Sequence, residues 1–218
     1  MTHVEEGVET PRMPRISERA PDFQALTTQG PLTLSDLRGH WVILFSHPAD
    51  FTPVCTTEFV ALAHHAEEFD RRDVKLIGLS IDSIHSHLAW LRNIEEKIGV
   101  KIPFPVVADV DMRVASMFGM IHPEASTTAA VRGLFIIDPE GFIRAIIYYP
   151  LQTGRCIDEI LRLVDALQTT DQHHVATPAD WRPGEKVIVP PPLTEEQVEE
   201  LLRSDYEKID FYLMKRSL

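Results

Sequence analysis

Cysteine is nearly absent from this chain. Among 218 residues there are two, Cys55 and Cys156, too few for a disulfide scaffold. In a reducing compartment such a residue is either small core filler or a chemical tool. No Cys-x-x-Cys pair occurs, which excludes a thioredoxin-type dithiol exchanger, and no glycine-rich phosphate or dinucleotide motif is present. Basic charge is scarce too: 21 Lys and Arg face 33 Asp and Glu, a formal charge of −12. Such a surface repels nucleic acid and anionic membranes, so neither is an expected partner. Long apolar runs are missing. The longest, such as residues 41–45, fall far short of the ~20 residues that cross a bilayer. The polar, acidic start of the chain lacks the pattern of a signal or transit peptide, and the expectation is a cytoplasmic protein.

What is present reads as one good core with an appendage. Hydrophobic residues make up 44% and charged residues 25%, the balance of an ordinary globular protein. Residues 20–39 alternate apolar and polar about Gln29-Gly30, an amino-terminal hairpin. Residues 41–45 and 74–81 are apolar runs suited to strands buried on both faces. Between them Phe59, Leu62, Ala66 and Phe69 mark a helix face. A second helix is expected over 83–97, with Ile84, Leu88, Leu91 and Ile98 inward and Gly99 ending it. Residues 104–108 then read as a short strand and 111–118 as a short helix. Two more strands, 134–137 and 143–147, flank the turn Asp138-Pro-Glu-Gly141. A helix over 156–167 turns Ile157, Ile160, Leu161, Val164 and Leu167 inward.

This alternation argues for an α/β layered fold with a parallel central pair and an antiparallel edge, the plan of the thioredoxin fold. The expected organisation is a polar tail over 1–16, a thioredoxin-like domain with its amino-terminal hairpin over 17–170, and an extended carboxy-terminal arm over 171–218. Prolines 178, 183 and 190–192 break the arm, and the capping box Thr194-Glu-Glu-Gln197 starts its terminal helix. The arm's apolar side chains, Trp181 and Val187 among them, suit a subunit interface.

The chemically loaded stretch runs from His47 to Glu58, between a buried strand and a helix start. Thr52 is a natural N-cap, with Pro53 at the first helical position, where its missing N–H costs nothing. Cys55 then falls in the first turn, where unpaired N–H groups and the positive helix end favour an anionic sulfur. Placement alone leaves two readings open, a reactive thiolate or a buried hydrophobe.

The flanking residues decide between them. Pro48-x-x-x-Thr52-x-x-Cys55, within Phe51-Thr-Pro-Val-Cys-Thr-Thr-Glu-Phe59, resembles the active site of the peroxiredoxins, the alkyl hydroperoxide reductase C and thiol-specific antioxidant family. Ala20-Pro-Asp-Phe23 and Asp138-Pro-Glu-Gly141 are similar to the family's amino-terminal strand and its hairpin. Thr153-Gly-Arg155 and Ala176-Thr-Pro-Ala-Asp-Trp181 resemble its one-cysteine, peroxiredoxin-6-like subfamily. The resemblance implies that Cys55 is the peroxidatic nucleophile, reducing hydrogen peroxide and alkyl hydroperoxides without metal or organic cofactor. It implies that Thr52 holds sulfur and peroxide in line, that Pro48 shields the sulfur from water, and that Arg132 stabilises the thiolate and polarises the O–O bond. It makes Glu58 the carboxylate that orients arginines, Arg155 its second partner, and His47 the subfamily's histidine before the proline. Read without the family, Arg132 is a strand-end side chain reaching solvent, Glu58 and Arg155 are surface charges, and His47 caps a strand.

Where two-cysteine relatives carry a resolving cysteine, this chain has Val175-Ala-Thr-Pro178. The oxidised sulfur is therefore expected to be resolved by an external thiol, with Cys156 a bystander. The resemblance also implies a homodimer or a ring of dimers. Ten histidines invite a metal reading, but the pairs His64-His65, His85-x-His87 and His173-His174 cannot share a helix face, and solvent-facing histidines are expected. Gly78-Leu-Ser80 begins a lipase-like motif that Asp82 breaks. Two rival functions stand beside the peroxidase: a cysteine hydrolase pairing Cys55 with His47, and a redox-inactive holdase of the same fold.

Overall fold

The computed structural model describes residues 13–218. Of the expected polar tail, residues 1–12 lie outside the described residues. The chain divides into two compact units, one running to Arg155 and one from Cys156 to Leu218.

The first unit opens with β1 (Gln24–Thr27) and β2 (Gly30–Thr33), the expected hairpin, closed where the Thr27 hydroxyl donates to the Gly30 carbonyl at 2.7 Å. Then follow β3 (Trp41–Ser46), α1 (Pro53–His64), α2 (Ala66–Arg71), β4 (Val74–Ser80), α3 (Ile84–Ile98), β5 (Val106–Ala108), α4 (Arg113–Met117), β6 (Arg132–Ile137) and β7 (Ile143–Tyr149). The strands form one sheet in the order β2-β1-β5-β4-β3-β6-β7. The pairs β3–β4 and β4–β5 are parallel, while β6, β7 and β1 join antiparallel. This is the thioredoxin-like α/β sheet that the alternation of elements predicts.

All of β3 is buried because β4 and β6 flank it and both sheet faces are covered. On one face Leu44, Ile77, Leu79, Val107 and Phe135 join Val114, Ala115 and Phe118 around α4. On the other, the rings of Phe45, Phe59, Trp90 and Phe104 meet at centroid distances of 4.6 to 5.6 Å. Gly78 makes that meeting possible: a Cβ there would stand 3.2 Å from the Phe59 ring and 3.4 Å from Phe45. The aromatic cluster seats the middle of α1 on the sheet. Truncating a buried Phe such as Phe59 costs about 3–5 kcal/mol by cavity formation.

Three expectations need correction. The helix carrying Phe59, Leu62 and Phe69 is interrupted at His65, whose Nδ1 turns back to the Ala61 carbonyl at 2.8 Å. The inner face of α3 is not Ile84, Leu88, Leu91 and Ile98. Its buried residues are His87, Trp90 and Ile94, while Leu88 and Ile98 are exposed. A histidine takes that face because both its ring nitrogens find partners there. Finally, the arm does not end on a helix.

The second unit contains α5 (Ile157–His173), β8 (Val187–Ile188), α6 (Glu195–Arg203), β9 (Glu207–Asp210) and β10 (Leu213–Arg216). The three strands pair antiparallel in the order β8-β10-β9. Along α5, Ile157, Ile160, Leu161 and Val164 are buried as expected, with Ala166 rather than Leu167 completing the buried set. A small core gathers Ala166, Val175, Trp181 and Val187. Half of the capping box forms: Thr194 accepts from the Gln197 backbone at 3.2 Å, but Gln197 Oε1 accepts from the N–H of Leu193 at 2.8 Å rather than from that of Thr194. No helix among the described residues is long and apolar enough to cross a membrane.

Candidate active site

The loop from β3 to α1 is set by two residues. Phe51 takes the left-handed region, φ 56°, which turns the chain sharply. Thr52 is extended, and Pro53 follows at the helix start. Cys55 thereby comes to lie in the first turn of α1, fully buried, with a free thiol. Pro48 is half-buried at the start of the loop.

Thr52 stands at the N-cap position without capping. Its hydroxyl donates to the Ala49 carbonyl at 2.8 Å rather than accepting from the helix. With its hydrogen committed, that oxygen can meet an incoming ligand only as an acceptor.

Arg132, first residue of β6, does not reach solvent. Its Nη1 donates to Cys55 Sγ at 3.4 Å and to Glu58 Oε2 at 2.7 Å. Its Nε and Nη2 donate to the Leu151 carbonyl at 3.0 and 2.7 Å. Glu58 and Arg155 are buried too, against their reading as surface charges. Arg155 donates to Glu58 Oε1 from both its backbone N–H and its Nε, each at 2.8 Å, and to Oε2 from Nη2 at 2.9 Å. Its remaining arm reaches the Gly133 carbonyl at 2.9 Å, and its guanidinium lies 5.2 Å from the centre of the Phe45 ring. Burial pushes the Glu58 carboxyl up, but the guanidiniums, that of Arg155 foremost, outweigh it and hold Glu58 below its ordinary value. One carboxylate does not balance two guanidiniums. The cluster carries a surplus positive charge in a dry setting, and Arg132 Nη1 brings it to the Cys55 sulfur.

His47 is fully buried at the end of β3, but it is not brought to Cys55 as a hydrolase dyad would need. Its Nε2 lies 3.0 Å from Asp50 Oδ1, and its Nδ1 has no hydrogen-bond partner. Its ring packs edge-on against Phe59 at 4.8 Å and tilted over Trp90 at 5.1 Å. Burial pushes the His47 ring below its ordinary value, against the raising influence of Asp50. His87 shares that carboxylate, with Nδ1 at 3.0 and 2.9 Å from the two Asp50 oxygens and Nε2 at 3.1 Å from the Val107 carbonyl.

Of the expected site, the structure gathers Cys55, Arg132, Glu58 and Arg155 by contact and places Thr52 and Pro48 on the same loop. Sequence reasoning missed Asp50 and His87. His64, His85, His173 and His174 are exposed as expected, whereas His87 is wholly buried. Asp50 stood inside the loaded loop, and an acidic residue in a loop that must bury its neighbours was the one available signal. His47, Asp50 and His87 also form the one group among the described residues whose ligand atoms, all within 4.8 Å of one another, could meet on a metal ion. Their N···O separations of 2.9–3.0 Å are those of hydrogen bonds, with Asp50 between the rings. Ser80, of the lipase-like motif, is buried and donates to Asp82 at 2.8 Å.

Most of the chain is similar to known proteins. The sequence model of the AhpC/TSA family matches residues 16–146, and that of the C-terminal domain of 1-Cys peroxiredoxin matches residues 166–204. A peroxiredoxin of Aquifex aeolicus (strain VF5) is 56% identical over 222 residues, covering 97% of this chain and 100% of its own. One from Methanosarcina mazei is 56% identical over 202 residues, covering 89% and 92%. Among solved structures, the yeast mitochondrial 1-Cys peroxiredoxin, studied for thiol resolving through glutathione and thioredoxin systems, superposes with a TM-score of 0.84. It is 40% identical and covers 94% of this chain and 100% of its own. A cysteine-to-serine mutant of the peroxiredoxin 6 of Arenicola marina gives a TM-score of 0.84 at 37% identity, covering 93% and 97%.

Proposed function

The chain belongs to the AhpC/TSA family, in its 1-Cys peroxiredoxin branch, and from that premise we propose that Cys55 is the sulfur with which it reduces peroxides. The protein is a thiol-dependent peroxidase. In our reading the Cys55 thiolate attacks the terminal oxygen of R–O–O–H. An S–O bond forms, the O–O bond breaks, and Cys55 leaves as the sulfenic acid while the alkoxide or hydroxide takes a proton to become alcohol or water. Arg132 stabilises both the attacking sulfur and the charge that grows on the leaving oxygen. The Thr52 oxygen accepts from the peroxide O–H and aligns it, and Pro48 closes the loop over the sulfur. Glu58 and Arg155 position Arg132.

The observation that carries this reading is the 3.4 Å contact between Arg132 Nη1 and Cys55 Sγ, backed by the Glu58–Arg155 pair. These contacts address the O–O group and the sulfur rather than an organic substituent, which suits hydrogen peroxide and small alkyl hydroperoxides alike. A free thiol then attacks the sulfenic sulfur, giving a mixed disulfide and water, and a second thiol releases Cys55. We further propose a homodimer, or a ring of dimers, with the second unit at the interface. Ile209, Phe211 and Tyr212 are exposed apolar side chains around the β9–β10 turn, and a second copy would cover them. No metal or organic cofactor takes part in this scheme.

Stopped-flow mixing with peroxide, followed by mass spectrometry, is the test. Sulfenic or sulfinic acid should appear on Cys55, and Cys55→Ser should abolish the reaction. Retained turnover in Cys55→Ser would overturn the assignment.

A further inference from the structure

We propose that Asp50 and His87 are positioning residues for this reaction, a buried anchor that fixes the turn carrying Thr52 and Cys55 and presents the His47 ring as a bare hydrogen-bond acceptor. The proposal rests on the reading of Cys55 as the reacting sulfur.

The hydrogen bonds assign the protons. His87 faces acceptors on both sides, the Asp50 carboxylate through Nδ1 and the Val107 carbonyl through Nε2. Both nitrogens therefore carry hydrogens, and His87 and Asp50 form a buried ion pair. Burial pushes the Asp50 carboxyl up, yet hydrogen bonds from His47 and His87 outweigh it and hold it well below the usual carboxylate range. An anionic Asp50 can only accept, so His47 Nε2 must donate to it. The neutral His47 ring then leaves Nδ1 without a hydrogen, a lone pair buried and unpartnered. Burying such an atom without a partner is unfavourable. His47 packs on Phe59, one helical turn beyond Cys55 on the buried face of α1.

The same carboxylate residue holds the backbone. The Asp50 N–H donates to Asp82 Oδ2 at 2.9 Å, and Asp82 is itself held by the Ser80 hydroxyl at 2.8 Å. The next residue is Phe51, whose left-handed backbone is strained for a non-glycine residue. Strain of that kind persists only where neighbours over-determine it. Asp50, tied through its side chain to α3 and through its N–H to the end of β4, supplies that determination. Release it and Phe51 can relax, shifting Thr52 and the start of α1. A displacement of ~1 Å at a reacting group can cost ~100-fold in rate.

Two variants at position 87 separate positioning from mere packing. The amide nitrogen of Asn falls where Nδ1 stands, so His87→Asn keeps the bond to Asp50 and loses that to Val107. His87→Gln does the reverse. Each gives up one hydrogen bond, so their thermal melts should be alike. In stopped-flow oxidation by hydrogen peroxide, read by tryptophan fluorescence, His87→Asn should stay within about 3-fold of the wild type and His87→Gln should fall ~10-fold or more. Ring-nitrogen NMR of the wild type should show His47 with its hydrogen on Nε2, and His87→Gln should show mixed tautomers. Asp50→Asn, close in shape, is an independent arm expected to slow Cys55 oxidation as His87→Gln does. Equal rates in the two position-87 variants, a full rate in Asp50→Asn, a hydrogen on His47 Nδ1, or a stoichiometric metal ion in the purified protein would each overturn the anchor. Peroxide consumption by the wild type without oxidation of Cys55 would overturn the premise as well, and mass spectrometry of the same samples tells the two failures apart.

Discussion

Two buried carboxylates flank the start of α1, and each sits between two nitrogen-donor side chains. Glu58 lies between Arg132 and Arg155, and Asp50 between His47 and His87. The first set uses guanidiniums, whose charge is permanent and whose planar fork spends several donors at once. After Glu58, Leu151 and Gly133 are served, one Arg132 nitrogen still reaches Cys55. The second set uses imidazoles, which can be donor or acceptor and can lose their charge. It closes on itself apart from His47 Nδ1. The difference separates two tasks: the arginine set projects charge onto the sulfur, and the histidine set fixes where the sulfur and its loop stand.

The largest effect should come from breaking the arginine set at its outlet. Arg132→Met should slow peroxide attack by about 100-fold or more, the scale of removing one preorganised charge donor. Arg132→Lys should recover only part, since a point charge cannot serve Leu151, Glu58 and Cys55 together. Single-turnover rates at equal peroxide measure both, and a full recovery by lysine would mean that charge alone matters. Next in size, Glu58→Gln leaves two buried guanidiniums without their counter-ion and should destabilise the fold by about 3–5 kcal/mol in denaturant melts. A change under ~1 kcal/mol would mean that water reaches the pair.

Acid should distinguish the two sets. Glu58 and Asp50 both have depressed carboxyls in the folded state. Their stabilisation is present above the unfolded values of ~4.3 and ~3.9 and is lost as pH falls through the lower folded values. His47 is depressed by burial, so the unfolded chain binds its proton first and stability begins to fall already below ~6.5. Thermal melts across pH 4.5 to 7 should therefore slope in the wild type. The slope should flatten in a His47→Gln variant and persist in Glu58→Gln. Slopes unchanged by His47→Gln would show that this ring is not the early titrating group.

The same contrast explains what could be read from sequence. The arginine set was legible through family spacing, because Pro48, Thr52, Cys55 and Glu58 lie within one short stretch and Arg132 and Arg155 keep recognisable neighbours. The core strands were legible because a central strand buried on both faces must be apolar throughout, as β3 is. The histidine set was not. Periodicity assigned the inner face of α3 to its aliphatic residues, whereas His87 and Trp90 take it. The ring can be buried only because Asp50, 37 residues away, and the Val107 carbonyl satisfy it. No local pattern records such a partnership. Strands β9 and β10 escaped for a different reason. Every residue of β9 is exposed and the pair is held by backbone bonds, so the apolar alternation that marks a half-buried strand is missing.

That exposed hairpin yields a smaller effect. With Phe211→Asp and Tyr212→Asp together, the assembly measured by light scattering should shrink, while Cys55 oxidation by peroxide should change only a few-fold, since neither side chain belongs to the two carboxylate sets. An unchanged subunit number would remove the hairpin from the proposed interface.

The smallest effect on chemistry should come from the other cysteine. Cys156 is exposed and stands at the N-cap of α5, but its side chain makes no capping bond. The contrast with Cys55 is one of surroundings: both sit at helix starts, yet only Cys55 has a guanidinium on its sulfur. If the helix start alone made a cysteine reactive, Cys156 would share the work. If the arginine set makes it so, Cys156→Ser should keep the wild-type peroxide rate, and oxidised protein should still run as a monomer on a non-reducing denaturing gel. Serine caps a helix far better than a non-capping side chain, so the variant should gain about 0.5–1 kcal/mol in stability. A variant that is slower with peroxide would give Cys156 a part in the reaction. Disulfide-linked dimers of the wild type after one equivalent of peroxide, absent in Cys156→Ser, would make it a resolving partner and erase the difference between the two helix starts.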